Sequence, residues 1–301
     1  MAPVAPVAAV AARSTSAVDV ARDLVALTKP RITVIVLLTA ACGMKLASRA
    51  VNGRTWLWTM VGTALIVGAA NALNMWLERD VDAKMTRTRN RPLPAGRLAP
   101  GVALGFGLGL ALLSLPILVL GVNAVAGALG AVALTSYVLM YTPMKRHSVR
   151  ALWVGAIPGA IPPLLGWSAV TGRIDAGGLA LFAILFLWQI PHFLAIAVFR
   201  ASDYANAGLK VVPVEHGDRA TDSMMLRYAV AVAASSFLPL GAHLGSRAYV
   251  VVAALLGLAF VAACARGPRM AGAQRIRWAR GVFAFSIVYL VALFTTLVAT
   301  A

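Results

Sequence analysis

Nine apolar runs, each close to the length of a bilayer crossing, constrain this chain more than any other feature. They fall at roughly 32–48, 55–77, 99–120, 123–143, 151–171, 178–199, 228–245, 248–265 and 281–300. A transmembrane helix needs about 20 mostly apolar residues, so the expected fold is all-α: a polytopic membrane protein with nine transmembrane helices. The composition, 60% hydrophobic and 12% charged, lies far from the roughly 45–50% and about 25% of soluble domains. One membrane domain is expected over 28–301. Residues 1–27, rich in Ala, Val and Pro and interrupted by Pro3, Pro6, Arg13 and Ser14 to Ser16, read as a disordered N-terminal extension rather than a signal peptide.

The formal charge of +17 would suggest nucleic acid on a soluble protein, but here the charges must first be placed relative to the bilayer. Of the 27 Lys and Arg residues, 22 fall on the side of the N-terminus and 5 on the other, and nine of the ten acids share the basic side, Asp175 being the exception. The positive-inside rule then sets the N-terminus in the cytoplasm and the C-terminus outside. The corresponding location is a bacterial cytoplasmic (inner) membrane, with the mitochondrial inner membrane as the alternative. No nucleic-acid partner is implied. Cys42 and Cys264 lie in apolar runs without metal-ligand spacing and read as small buried residues.

The most informative polar stretch closes the second run. Asn74, Glu78 and Asp82 recur at i, i+4 and i+8, with Asn71 at i−3, so a continuous helix carries them as one oxygen-rich stripe. Carboxylates and amides of this kind suit Mg²⁺, which takes a few protein oxygens together with water and substrate phosphate oxygens. Lys84, Arg87, Arg89, Arg91 and Arg97 follow directly, and guanidinium groups bind phosphate oxygens in bidentate fashion. Acidic stripe and basic loop together suggest a diphosphate site, whereas an interfacial loop of paired charges is the plain alternative. Ionisable groups starting inside the membrane favour function.

The segment NALNMWLERDVDAKMTRTRNRPLPAGRL resembles the first signature of the intramembrane UbiA-type prenyltransferases, with Glu78 in place of the first Asp, and in particular their haem O synthase branch. Three more segments carry the same resemblance: Tyr141-Thr-Pro-Met-Lys145-Arg146, Trp188-Gln-Ile-Pro191-His192-Phe193, and Asp203-Tyr204 through Gly208-Leu-Lys210 to Pro213. It covers about residues 25–300. The resemblance implies transfer of a farnesyl group from farnesyl diphosphate to a vinyl group of haem B, with Mg²⁺ as cofactor, in support of haem A and terminal oxidase formation. It makes Asn74, Glu78, Asp82 and Asp203 metal ligands. Arg87, Arg91, Lys145, Arg200 and Lys210 become diphosphate contacts, and Tyr141 a cation stabiliser or hydrogen-bond donor. Tyr204 and Asn71 stand as secondary candidates. Haem A synthase or oxidase assembly factors would be partners beyond the lipid bilayer.

Where the family often has a second DxxxD, Asp203 is followed four residues on by Ala207, so one carboxylate is offered there. A DxxxD at Asp218 and Asp222 opens a later helix, where acids are ordinary N-terminal capping and dipole residues. His192 lies about 12 Å inside the sixth run at 1.5 Å per residue and is a candidate haem ligand or orienting group; a purely interhelical hydrogen-bonding role is the alternative. Trp56, Trp58, Trp153 and Trp167 read as interfacial anchors. Two readings of other classes stay open: a UbiA-type transferase acting on an aromatic or quinone precursor, and a membrane transporter or haem-binding assembly factor without turnover.

Overall fold

The computed structural model of the protein describes residues 16–48 and 50–300, and among these every regular element is helical. A short helix α1 (Ala17–Leu27) precedes nine helices long and apolar enough to cross a membrane. These are α2 (Pro30–Ala47), α3 (Gly53–Asp82), α4 (Pro100–Gly121), α5 (Ala124–Met144), α6 (Ala151–Thr171), α7 (Ala176–Phe199), α8 (Gly217–Ser235), α9 (Arg247–Ala265) and α10 (Gly272–Thr300). The expected nine-span layout holds. Several helices start earlier than their apolar runs, notably α8 at Gly217 and α10 at Gly272, because their first turns carry Asp218, Arg219, Arg275 and Arg277 and so hide from a hydropathy reading.

One expectation is corrected. Residues 17–27 are not a disordered extension but helix α1; residues 1–15 lie outside the described residues. Ser16 caps α1 by accepting from the Asp19 N–H. Val20, Leu24 and Leu27 share one helical face and pack on Met75, Leu93, Leu98 and Ala103. The Arg97 guanidinium donates to both oxygens of Asp23 at 3.1 Å, so Arg97 anchors α1 rather than serving the basic loop. An Ala/Val-rich composition concealed this periodicity.

Local chemistry sets the connections. Asn52, Asn123, Asp175 and Ser246 cap α3, α5, α7 and α9 with their side-chain oxygens. Asn123 also donates to the Ser168 carbonyl at 2.9 Å, tying the tight α4–α5 hairpin to α6. Between α2 and α6 the backbones meet directly: a Cβ added at Gly166 would lie 1.9 Å from the Ala40 carbonyl oxygen, the small-residue contact by which membrane helices pack without a hydrophobic drive. Trp167 is buried against Gly177 and Gly178, not set in an interfacial belt. In the C-terminal half, Tyr249 and Tyr289 are fully buried and both bond Ser236, at 2.6 Å to its carbonyl and 2.7 Å to its hydroxyl.

Asp222 departs from the capping role expected of the later DxxxD. Arg275 donates to its two oxygens at 3.0 and 2.8 Å and sits 3.1 Å from Asp218, which joins the first turns of α8 and α10. Both Asp222 and Arg275 are buried, so removing one leaves an uncompensated charge, at a cost of about 3–5 kcal/mol. Asp222→Ala is therefore expected to lower the thermal unfolding temperature in detergent by several degrees while leaving the rate per folded molecule near wild type. A rate loss with unchanged stability would instead place this pair in the chemistry.

Candidate active site

Helix α3 runs 30 residues, well beyond a crossing, and its last two turns carry the stripe. Asn74, Glu78 and Asp82 are 2%, 5% and 4% exposed. Carboxylates are almost never buried to this degree unless paired, and each has a cation at hand. Lys145 Nζ lies 2.5 Å from Glu78 Oε1, and Arg91 Nη1 is 2.7 Å from Asp82 Oδ2. The loop after α3 folds back to allow this: Thr88, itself buried, donates to the Asp82 carbonyl at 2.8 Å and turns the chain so that Arg91 reaches inward. Arg87 stays exposed on the same loop. Asn71 donates to the Thr28 carbonyl at 3.2 Å, a link to the α1–α2 corner rather than to the stripe.

Lys145 is delivered by α5, whose segment Ser136–Tyr141 is π-helical. Such one-turn π segments rotate the residues beyond them and recur at functional sites. Here the turn carries Tyr141 and Thr142 towards α3. The Asn74 Nδ2 group donates to Thr142 Oγ1 at 3.0 Å and to Glu78 Oε2 at 2.8 Å, and Thr142 Oγ1 donates onward to the Tyr137 carbonyl. The Lys145 ammonium stands 4.6 Å from the Tyr141 ring centroid, and Tyr137 lies 5.3 Å from the same ring. Gly155 on α6 makes room for it, since a Cβ there would come within 2.5 Å of the Tyr141 ring. Thr142 sits inside a motif the sequence makes visible, yet its role needs the contact with Asn74 to be seen.

Lys29 is a further site residue that spacing did not reveal. It joins α1 to α2 in the left-handed region, φ 49° and ψ 66°, an uncommon conformation for a residue with a side chain. Its ammonium reaches in to Asn74 Oδ1 at 3.3 Å. Burial first, then the positive charges of Arg91 and Lys145, lower its pKa to about 7 against the opposing pull of Glu78 and Asp82. Only a lysine immediately before Pro30, at the mouth of the first span, marked it in the sequence.

The sign of its linkage follows. Between about pH 7 and the ordinary lysine value of 10.5 the unfolded chain holds this proton and the folded chain does not, so stability rises with pH through that window. We expect the ligand-free wild type to unfold at higher temperature as pH is raised from 7 to 9, and Lys29→Met to lose that increment in a thermal-shift series.

The second polar element docks on the first through apolar contacts. Val81 and Met85 pack against Ala207 and Leu209, with Tyr204 alongside, and the Lys210 N–H donates to the Lys145 carbonyl at 2.9 Å. Asp203 lies on this loop and pairs with Arg200 at 3.7 Å, whereas Lys210, expected as a diphosphate contact, is turned to Glu215 at 3.0 Å. Between the two elements is a cavity of about 100 Å³ lined by Tyr141, Lys145, Leu152, Phe193, Tyr204 and Lys210. A wider concavity, about 620 Å³, opens at Asp218, Asp222 and Arg275, but the charges there are paired with one another. His192 is not in the lining of either. It faces α10, where Ser286 Oγ is 2.7 Å from its Nδ1 and Trp188 stacks at 4.5 Å.

Among the described residues no three His, Cys, Asp or Glu side chains converge as a ready metal cluster. The donor set at the stripe is two carboxylates and an amide oxygen, all buried and hard, which is the chemistry of a Mg²⁺ site completed by substrate phosphate and water. Asn74, Glu78 and Asp82 therefore fit such an ion.

A family model described as the UbiA prenyltransferase family matches residues 36–288. A protoheme IX farnesyltransferase of Myxococcus xanthus (strain DK1622) is 51% identical over 287 residues, spanning 95% of this chain and 97% of the relative. Another from Sorangium cellulosum (strain So ce56) is 54% identical over 240 residues, 79% of this chain and 84% of its own. Among solved structures, one concerned with digeranylgeranylglyceryl phosphate synthase in membranes superposes with a TM-score of 0.79 at 16% identity, covering 93% of this chain and 98% of that one. A UbiA homolog from Archaeoglobus fulgidus, bound to GPP and Mg²⁺, gives 0.66 at 16% identity over 92% and 100%.

Proposed function

The chain belongs to the UbiA prenyltransferase family, and on that premise we propose that it transfers a farnesyl group from farnesyl diphosphate to a vinyl group of haem B, yielding haem O and diphosphate. The protein is an integral membrane prenyltransferase, and relatives called protoheme IX farnesyltransferase match it at 51% and 54% identity. The observation that carries the chemistry is the buried stripe of Asn74, Glu78 and Asp82 with Lys29, Lys145 and Arg91 set against it.

Asn74, Glu78 and Asp82, with Asp203 from the facing loop, would hold Mg²⁺, which would supply Lewis-acid neutralisation of the diphosphate. Lys145 and Arg91, each within reach of the stripe, spread the negative charge that grows on the diphosphate as the allylic C–O bond breaks; exposed Arg87 closes the outer side. Lys210 lines the same cavity, and Arg200 is carried beside it on the loop with Asp203. The face of Tyr141 stands beside the ammonium of Lys145, with the Tyr137 ring against it, where a ring can stabilise the allylic cation. The vinyl π electrons then bond to the farnesyl C1, and water adds to the resulting benzylic-type carbon with loss of a proton. An apolar lining from Leu152 and Phe193 keeps water from the first cation. Tyr204 packs the second loop in place, and His192 meets the haem.

The charge asymmetry of the loops supports a bacterial inner-membrane enzyme with its N-terminus and site on the cytoplasmic side, the mitochondrial inner membrane being the organellar equivalent. A product this poorly soluble in water suits hand-off within the membrane, and a haem A synthase or an oxidase assembly factor is the recipient this reading proposes. The test is direct: the purified protein is incubated with farnesyl diphosphate, Mg²⁺ and either haem B or 4-hydroxybenzoate, and products are weighed by mass spectrometry. Haem O from the first mixture alone is expected. A prenylated benzoate would reassign the acceptor, and no product from either would favour a binding or transport role.

A further inference from the structure

We propose that the concavity at the charged end of α8, α9 and α10 is a binding site for the head of an anionic phospholipid of the phosphatidylglycerol type. Arg219 and Arg227 of α8, with Arg266 and Arg269 after α9, receive its phosphate. The site lies outside the prenyl-transfer cavity, and its occupant staples the C-terminal helices together.

The concavity is built by three helix ends. On α8, Asp218, Asp222 and Leu226 line it at i, i+4 and i+8, and Arg219 and Ser223 line it from the neighbouring stripe. Cys264, Pro268 and Met270 come from the end of α9 and the turn after it, and buried Arg275 comes from α10. At about 620 Å³ it is within the range of about 300–1,000 Å³ typical of small-molecule sites.

Its charges divide into a closed set and an open one. Both acids are neutralised by Arg275, which donates to the Asp222 oxygens at 3.0 and 2.8 Å and stands 3.1 Å from Asp218. The other cations have no acid left to them. Arg219, Arg266 and Arg269 make no side-chain ion pair or hydrogen bond among the described residues, and Arg227 bonds only the Ser223 carbonyl of its own helix, at 3.2 Å. All four are exposed. Arg219 is part of the lining, Arg227 follows it about two turns on along the same stripe of α8, and Arg266 and Arg269 flank Pro268 in the turn. Unpaired guanidiniums around a recess between membrane helices are the setting in which anionic lipid heads are held.

Apolar surface leading away from these arginines selects a lipid over a soluble phosphate. On α9, Val251, Leu255, Leu258 and Ala262 are exposed in one stripe that ends at Arg266, and on α8 Val230 is exposed one turn beyond Arg227. The two helices meet closely where Gly257 faces Ala233. An acyl chain laid along this surface brings its phosphate to the arginines. Asp218, whose side chain is 67% exposed, selects the head: glycerol hydroxyls can donate to its carboxylate, whereas a choline head has no donor to offer.

Delipidated full-length protein in a neutral detergent is titrated with phosphatidylglycerol, phosphatidylethanolamine or phosphatidylcholine of identical acyl chains. Bound lipid is read by native mass spectrometry and stability by thermal unfolding. The wild type is expected to retain one phosphatidylglycerol per chain, to favour it over phosphatidylcholine by about tenfold or more, and to unfold at higher temperature with it. Arg219→Gln combined with Arg227→Gln, and Arg266→Gln combined with Arg269→Gln, each reduce that preference severalfold and shrink the thermal gain. Arg22→Gln, which removes an exposed cation of α1, leaves both unchanged and controls for overall charge. Equal retention of phosphatidylglycerol and phosphatidylcholine, a preference for phosphatidylethanolamine, or full preference in both double variants overturns the site. A thermal gain of the same size from glycerol 3-phosphate, which has no acyl chains, overturns the lipid and leaves a soluble phosphate as the occupant.

Discussion

Purified protein carrying Asp82→Asn is expected to form haem O at a rate lower by at least about 10²–10³-fold, the range typical for loss of one preorganised charge-stabilising group. Asparagine keeps the shape of the side chain, and the Asp82 carbonyl still receives Thr88, so the fold of the loop is retained. What disappears is a carboxylate 4% exposed at the end of α3, and with it the partner of Arg91. The same loss is expected for Glu78→Gln, because Lys145 then lacks its acceptor charge. Asp82→Ala and Glu78→Ala should abolish haem O formation in membranes where the protein still accumulates, checked by product mass against immunoblot. Near-normal product from purified Asp82→Ala would take the metal away from this stripe.

Gly166→Leu should remove the folded protein altogether. A Cβ at this position meets the Ala40 carbonyl oxygen at 1.9 Å, its carbon at 2.8 Å and its Cα at 3.1 Å. These are backbone atoms of α2, so no side chain can swing aside, and relief requires α2 to leave α6. Without a hydrophobic force between membrane helices, close packing is what holds such a pair. The variant is expected to be degraded, or to elute as aggregate in size-exclusion chromatography. Gly109→Leu is the matched control, since a Cβ there meets nothing within 4 Å. Monodisperse Gly166→Leu with normal yield would mean that α2 and α6 are not in backbone contact.

Much of the site was legible before any coordinates. The i, i+4, i+8 spacing of Asn74, Glu78 and Asp82 describes one helical face, and α3 continues unbroken through Asp82. Arg91 and Lys145 were singled out as cations and meet the two carboxylates. Lys29 and Thr142 were not singled out, because one approaches Asn74 from the α1–α2 junction and the other from α5, 45 and 68 residues away in the chain. Arg97 and Lys210 looked like part of the basic loops, yet they are turned to Asp23 and Glu215. A charge in sequence carries no record of which opposite charge the fold brings near it.

The sequence by itself determined the number of crossings, the side that carries the charge and the helical face that carries the oxygen ligands. Each of these follows from local periodicity and from the cost of burying polar groups in lipid. Tertiary structure decided the rest. It placed a π-helical turn in α5 to aim Thr142 and Lys145 at α3, and bent the backbone at Lys29 to bring a buried ammonium onto Asn74. It also turned His192 towards Ser286 instead of the cavity. These outcomes depend on how helices rotate and pack against one another, and no spacing within a single helix contains that information.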